Sequence, residues 1–130
     1  MYLIDSDCLI DFLKGVGYSV KLFQNLKDKP LYTSIICIGE ILEGIYTLRD
    51  KKKLSEFEGF LGNFSIVNVD LEVTQEFAKI RSGLRKAGKL IDNFDILIAA
   101  SCKARNLILV TRNTSHFKRV KGLKIFKIEA

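Results

Sequence analysis

The chain has one proline, one histidine, one methionine and no tryptophan in 130 residues. With His116 as the only imidazole, an acid–base mechanism shared between two histidines is excluded. Three cysteines, Cys8, Cys37 and Cys102, are odd in number and set among aliphatic residues, with no pair at zinc-ligand spacing. They read as small buried hydrophobes in a reducing compartment, not as a disulfide framework. No apolar run reaches the roughly 18–20 residues of a spanning helix. The start lacks the basic region and cleavage site of a secretory leader. A cytoplasmic protein with no membrane partner is therefore expected.

What is present points to a compact core. Apolar residues make up 48% of the chain, enough for one domain over residues 1–130. Lysine and arginine total 21 against 15 acids, a formal charge of +6 that suits a polyanionic partner without naming it. Residues 1–5 read as a short buried strand. Asp7 is placed to cap a helix carrying Leu9, Ile10, Phe12 and Leu13, which ends near Gly15-Val16-Gly17. A helix over about 18–26 precedes the break at Pro30. Leu31–Thr33 is a strand, and Ser34 caps a long amphipathic helix with Ile35, Ile38, Ile41, Leu42 and Ile45 inward. The run Arg49–Lys53 punctuates it before a helix over Leu54–Leu61. Phe64–Val69 alternates as a strand, and Asp70 caps a helix over Leu71–Arg85 that Gly88 closes. Asn93 opens a helix through Arg105, followed by strands Leu107–Val110 and Lys124–Ile128. Buried strands alternating with helices predict an α/β fold, three layers α/β/α, around a mainly parallel sheet of about four to five strands.

Three of the most apolar stretches each hold an acid. Asp5 closes Met1-Tyr2-Leu3-Ile4, Glu40 lies inside Ile35–Leu42, and Asp95 is embedded in Leu90–Ala100. Ionised side chains are rarely buried unless paired or bound to a metal. Asp5 falls at the carboxyl end of a strand, Asn113 follows another strand end, and Asp95 lies in the first turn of its helix; ligands bind at such rims of parallel sheets. Glu40 stands about two turns into its helix, on one stripe with Ile36, Glu43, Gly44 and Thr47, where Gly44 leaves room for a neighbouring backbone. Each acid also has a plainer reading, as a helix cap for Asp5 or Asp95 and as a solvated margin for Glu40. If the three converge at about 6 Å, an effective dielectric near 20 gives roughly 3 kcal/mol of repulsion per pair. A divalent cation or raised carboxyl pKa values must then relieve it. All-oxygen donors select Mg²⁺ or Mn²⁺.

In order, Leu3-Ile4-Asp5-Ser6-Asp7-Cys8-Leu9, then Glu40 with Gly44, then Asp95-Ile96-Leu97-Ile98-Ala99-Ala100, then Leu109-Val110-Thr111-Arg112-Asn113 through Phe117 resemble the PIN domain. More narrowly, the chain resembles the VapC-type ribonuclease toxins of toxin–antitoxin modules, from its first residue almost to its last. The resemblance implies an endonuclease on single-stranded or structured RNA that depends on Mg²⁺ or Mn²⁺, forms homodimers and is inhibited by a VapB-like antitoxin. It assigns Asp5, Glu40 and Asp95 as catalytic, metal-binding acids and Asn113 as a fourth position, where many relatives carry Asp. Loss of that charge argues against a tightly held second metal. Ser6, Asp7, Asp92, Glu43 and Thr111 stand as supporting groups, and Asp11 as an exposed helix residue. Arg112 is the candidate for the scissile phosphate, with Arg85, Lys86 and Lys89 on the approach to the cleft. His116 receives no role.

Two other readings compete. Asp5-Ser6-Asp7 satisfies the D-x-D pattern of haloacid-dehalogenase-like phosphatases, although Leu9 and the missing later motifs count against it. A non-catalytic receiver-like domain would gather Asp5, Asp7 and Asp70 around Mg²⁺ with Thr111 as its switch, leaving Glu40 and Asp95 unexplained.

Overall fold

In the structure, a computed structural model that describes residues 1–129, strands and helices alternate as the sequence predicts. The order is β1 (Tyr2–Ile4), α1 (Ser6–Leu13), α2 (Gly17–Leu26), β2 (Leu31–Ser34), α3 (Ile35–Leu48), α4 (Lys51–Leu61), β3 (Ser65–Val67), α5 (Leu71–Lys86), α6 (Asn93–Arg105), β4 (Ile108–Val110) and α7 (Thr114–Phe117). The four strands form one sheet in the order β3-β2-β1-β4, every pair parallel.

Successive residues of each strand face opposite layers. Leu3 and Leu109 pack with Val73, Leu84, Ile96, Ile98 and Phe117 from α5, α6 and α7. Ile4 and Val110 pack on the other face with Leu9, Phe23, Ile38, Ile41 and Phe57. Helix α3 feeds both layers, since Cys37 joins the first group and Ile38, Ile41 and Ile45 the second. Of its expected inward residues, Ile35 instead sits at the exposed N-terminal turn. A Cβ at Gly44 would meet nothing within 4 Å, so no backbone approaches there and the expected close packing is absent.

Local chemistry sets the helix ends. Ser34 Oγ accepts the Ile36 N–H at 3.0 Å, Asp70 accepts that of Val73 at 2.9 Å, and Asp50 accepts that of Lys53 at 3.0 Å. Asp50→Ala leaves an orphan donor at the start of α4 and should cost about 1 kcal/mol. A urea titration checks this, expecting a lower midpoint at unchanged slope.

The anticipated strand at Lys124–Ile128 contracts to one parallel bridge, Leu109 to Ile125. The Leu109 N–H donates to Lys124 O and the Phe126 N–H to Leu109 O, both at 2.8 Å. Strand β4 is three residues long, and beyond Val110 its chain turns away, so the bridge has no ladder to extend. Helix α7 is an addition that the sequence pattern does not predict.

Candidate active site

With β1 central, the chain runs to β2 on one side and returns to β4 on the other. The reversal in strand order therefore lies between β1 and β4, and their carboxyl ends form the rim. Asp5 follows Ile4 and Thr111 follows Val110 at this rim; the Asp5 N–H donates to Val110 O at 2.9 Å.

Asp5 is only 5% exposed. One carboxylate oxygen accepts the Ser6 N–H at 2.8 Å, and the other accepts the Thr111 hydroxyl at 2.8 Å. Asp5, rather than Asp7 as expected, is the N-cap of α1, because β1 ends at Ile4 and Asp5 is the last extended residue (φ −73°, ψ 158°). Asp7 instead accepts the N–H groups of Cys8 at 2.7 Å and Arg112 at 2.9 Å, pinning the turn after β4 to α1. Thr111 is the keystone of this turn. Its hydroxyl proton goes to Asp5, and its oxygen accepts the Asn113 N–H at 3.0 Å.

Glu40 comes to Asp5 through Ser6, whose hydroxyl lies 3.3 Å from Glu40 Oε1 and 3.4 Å from Asp5 Oδ1. Oxygens of Asp5 and Glu40 and the Cys37 sulfur all lie within 4.8 Å of one another. The Cys37 thiol, fully buried, lies 3.7 Å from Asp5 Oδ1. Burial and the neighbouring Asp5 hold that thiol well above its ordinary range, so it stays protonated and acts as a donor to the carboxylate. The sequence places Cys37 in the core, which is correct for its burial, but gives no sign that it touches the acid.

Asp95 enters from the first turn of α6, where Asp92 caps the helix by accepting the Phe94 N–H at 3.0 Å. Its Oδ2 lies 3.2 Å from Nδ1 of His116, which is also 3.0 Å from the Asn113 amide nitrogen. His116, which the sequence gives no role, thus touches Asp95. Asn113 starts α7, and three residues later His116 returns to the same side of that single turn. The i, i+3 spacing is the available signal, but it has meaning only once α7 is known to be a helix. With Nδ1 protonated, His116 donates to Asp95; with Nδ1 bare, it accepts the Asn113 amide N–H instead, while the Asn113 backbone N–H donates to Thr111 and Thr111 to Asp5.

Electrostatics follow from this crowding. Burial, then Asp7, pushes the Asp5 carboxyl up to about 7 against the relief given by Thr111 and Ser6. Burial raises Glu40, with Asp95, Asp92 and Asp7 adding to it. Burial also raises Asp95; the His116 hydrogen bond offsets part of this and Asp92 adds to it. Removing carboxylates from water and facing them toward one another is unfavourable unless positive charge arrives.

The remaining assigned residues divide. Arg112 is exposed, with its guanidinium 3.2 Å from Asp11 and 5.0 Å from the Tyr18 ring centroid. Asp11 therefore faces Arg112 and the Tyr18 hydroxyl and is not a freely exposed residue. Glu43 is exposed on α3, and Arg85 and Lys86 are exposed in the last turn of α5. Asp70, needed by the receiver-like reading, caps α5 and pairs with Arg105 instead. Thr111 is committed to Asp5.

The PIN domain family model matches residues 2–123. Ribonuclease VapC1 of Methanocaldococcus jannaschii is 35% identical over 126 residues, 95% of this chain and 85% of that protein. The tRNA(fMet)-specific endonuclease VapC of Shigella flexneri is 28% identical, with 95% and 94% covered. Among solved structures, VapBC2 of Rickettsia felis, determined bound to a DNA fragment from its promoter, superposes with a TM-score of 0.89 at 25% identity, covering 96% of each chain. An acid-lined rim at the strand-order reversal, a matching family model and relatives that span nearly the whole chain lead to one assignment: this chain belongs to the PIN domain family, among its VapC ribonucleases.

Proposed function

We propose that this chain is a Mg²⁺- or Mn²⁺-dependent endoribonuclease, the toxin of a VapBC-like toxin–antitoxin pair, built as one domain over residues 1–130. The observation that carries the reading is the buried Asp5 carboxyl. It is held up to about 7 beside Glu40 and Asp7 at the end of β1, a state that an arriving cation would relieve. The donor set suits a hard cation: the Asp5 and Glu40 carboxylates lie within reach of one ion, and Cys37 is kept as a protonated donor. Asp95, close enough to raise Glu40, and Asn113 beside His116 are the further ligands of this reading. Bound there, the ion would acidify a water and neutralise charge on the phosphoryl oxygens.

The chain's own groups do the positioning. Ser6 and Thr111 fix both oxygens of Asp5, Ser6 also orients Glu40, and His116 orients Asp95. Asp7 and Asp92 hold the surrounding turns and deepen the negative field. The exposed Arg112, stacked on Tyr18, can meet the scissile phosphate, with Arg85, Lys86 and Lys89 on the approaches. Water attacks phosphorus in line, the bond to the 3′ oxygen breaks, and that oxygen leaves with a proton. The products are a 3′-hydroxyl and a 5′-phosphate.

An apolar groove between α1, α3 and α4, lined by Ile10, Leu13, Ile41, Ile45 and Leu48, supports a VapB-like antitoxin as partner. Leu48 there is 76% exposed. A second copy of this chain, as a homodimer, belongs to the same reading. No helix of the described residues is long and apolar enough to cross a membrane, and the cytoplasm, where RNA substrates lie, is the proposed compartment.

Incubation with labelled RNA in Mg²⁺, Mn²⁺ or EDTA tests the activity. Cleavage only with metal, leaving 5′-phosphate ends, supports it; metal-independent cleavage with 2′,3′-cyclic phosphate ends would sink it. His116→Ala should weaken metal binding and kcat by roughly 10-fold, as expected for loss of a group that orients a ligand. The melting temperature should barely move. His116→Gln, which keeps a donor, should recover part of both; equal metal affinity in all three proteins would remove His116 from the site.

A further inference from the structure

The positive surplus of this chain is gathered in one place. A concavity of about 510 Å³ beside α5, α6 and the segment after α7 is lined by Lys79, Lys89, Lys103, Lys118, Arg119 and Lys121. Glu76 is the one acid on its wall, and Lys79 already faces it at 3.7 Å. Six cations against one carboxylate leave +5, close to the +6 of the entire chain. Surfaces selected only for solubility intersperse both signs, because like charges in a concave wall repel and focus their field.

Two of these cations are held in place. Lys103 Nζ donates to Lys121 O at 2.9 Å, and Arg119 donates to Leu90 O at 3.3 Å. One end of the concavity lies near the acids along the chain. Lys118 and Arg119 follow α7, whose His116 touches Asp95, and Leu90 lies two residues before the α6 cap Asp92. From His116 to Arg119 the backbone spans at most about 10 Å, a reach of roughly one to two nucleotides. Lysines predominate, and these point charges suit a phosphate backbone read without sequence.

We infer that this concavity is a backbone track that holds the RNA strand to one side of the scissile bond. The inference rests on the ribonuclease reading for its substrate and extends it to residues away from the carboxylates. An acidic protein segment is the competing occupant; the closeness along the chain of Arg119 to His116 and Asp95 favours RNA, whose sugars and bases can lie on the apolar floor of Ile80, Leu84 and Val120.

The test is binding of a fluorescent single-stranded 20-nucleotide RNA by the cleavage-deficient Asp5→Asn protein, followed by anisotropy across a salt series. Adding Lys89→Glu, Lys118→Glu and Lys121→Glu should lower affinity by about 100-fold at 0.1 M salt. The slope of log affinity against log salt should fall by about 2, near 0.7 for each phosphate no longer neutralised. Lys51→Glu with Lys52→Glu, exposed on α4 outside the concavity, serves as the control and should change affinity by less than about threefold. Circular dichroism confirms that each protein is folded. If the triple variant binds like the control, the track is wrong. If a polyglutamate peptide binds the concavity more tightly than RNA of equal charge, the occupant is a protein and the inference is overturned. RNA held through these lysines by a wild-type chain that cuts nothing supports the track while sinking the ribonuclease reading, so the two failures are distinct.

Discussion

Asp5→Asn should leave a folded protein that cleaves RNA at least about a thousandfold more slowly, a loss of roughly 4 kcal/mol of transition-state stabilisation. Asparagine keeps one oxygen to accept the Ser6 N–H, so the cap of α1 survives. The Thr111 hydroxyl, which loses its acceptor on residue 5, can turn to Asp7 Oδ2 at 3.4 Å and hold the turn after β4. What disappears is the charge. The same substitution should therefore make the metal-free protein more stable at pH 8. The wild-type carboxyl rises from 3.8 to about 7 on folding. At about 1.36 kcal/mol for each tenfold change in proton affinity, the burden of keeping it ionised is at most roughly 4 kcal/mol. Single-turnover cleavage and thermal unfolding in EDTA measure the two halves. A variant that cleaves like wild type removes Asp5 from the chemistry; one that unfolds earlier removes the claim that its charge is a burden.

Stability of the metal-free protein should rise, not fall, as pH drops from 8 toward 5. The sign follows from proton uptake. Between 3.8 and about 7 the folded Asp5 holds a proton that the unfolded chain releases, so the native state binds more protons and lower pH favours it. The penalty is complete above about 7 and absent below 3.8. Glu40 and Asp95, both raised, act in the same direction. A bound cation reverses this, because it holds the carboxylates ionised. Mg²⁺ or Mn²⁺ at about a hundred times its dissociation constant should then stabilise by about 2.7 kcal/mol at pH 8. The gain should vanish near pH 5, where protons compete for the same oxygens. Melting curves in EDTA and in excess metal, from pH 5 to 8, check both parts. Parallel curves with and without metal would show that the cation does not bind at these acids.

Much of this site is legible without coordinates, for reasons specific to each residue. Asp5, Glu40 and Asp95 stand out because an acid inside a run of aliphatic residues breaks a local pattern. The parallel sheet is legible for a related reason, since short apolar runs such as β1 and β4 alternate with segments of clear helical periodicity. His116 breaks no pattern. Its place beside Asp95 depends on a one-turn helix of four residues, too short to announce itself in periodicity. Cys37 looks like core and is core; that its sulfur faces Asp5 depends on the rotation of α3 about its axis. The cap of α1 falls two residues earlier than expected because a sequence does not state where β1 stops. The basic concavity is hidden because its members come from α5, α6 and the segment after α7, and lysines so scattered look like ordinary solvated faces.

The hydroxyl that sets Asp5 belongs to a residue 106 positions later. During synthesis, the first acid of the cluster leaves the ribosome long before the strand that will hold it. Until β4 has emerged and slotted beside β1, the nascent polypeptide has no assembled pocket. A pocket wired in this way closes only once both ends of the sheet are outside the ribosome.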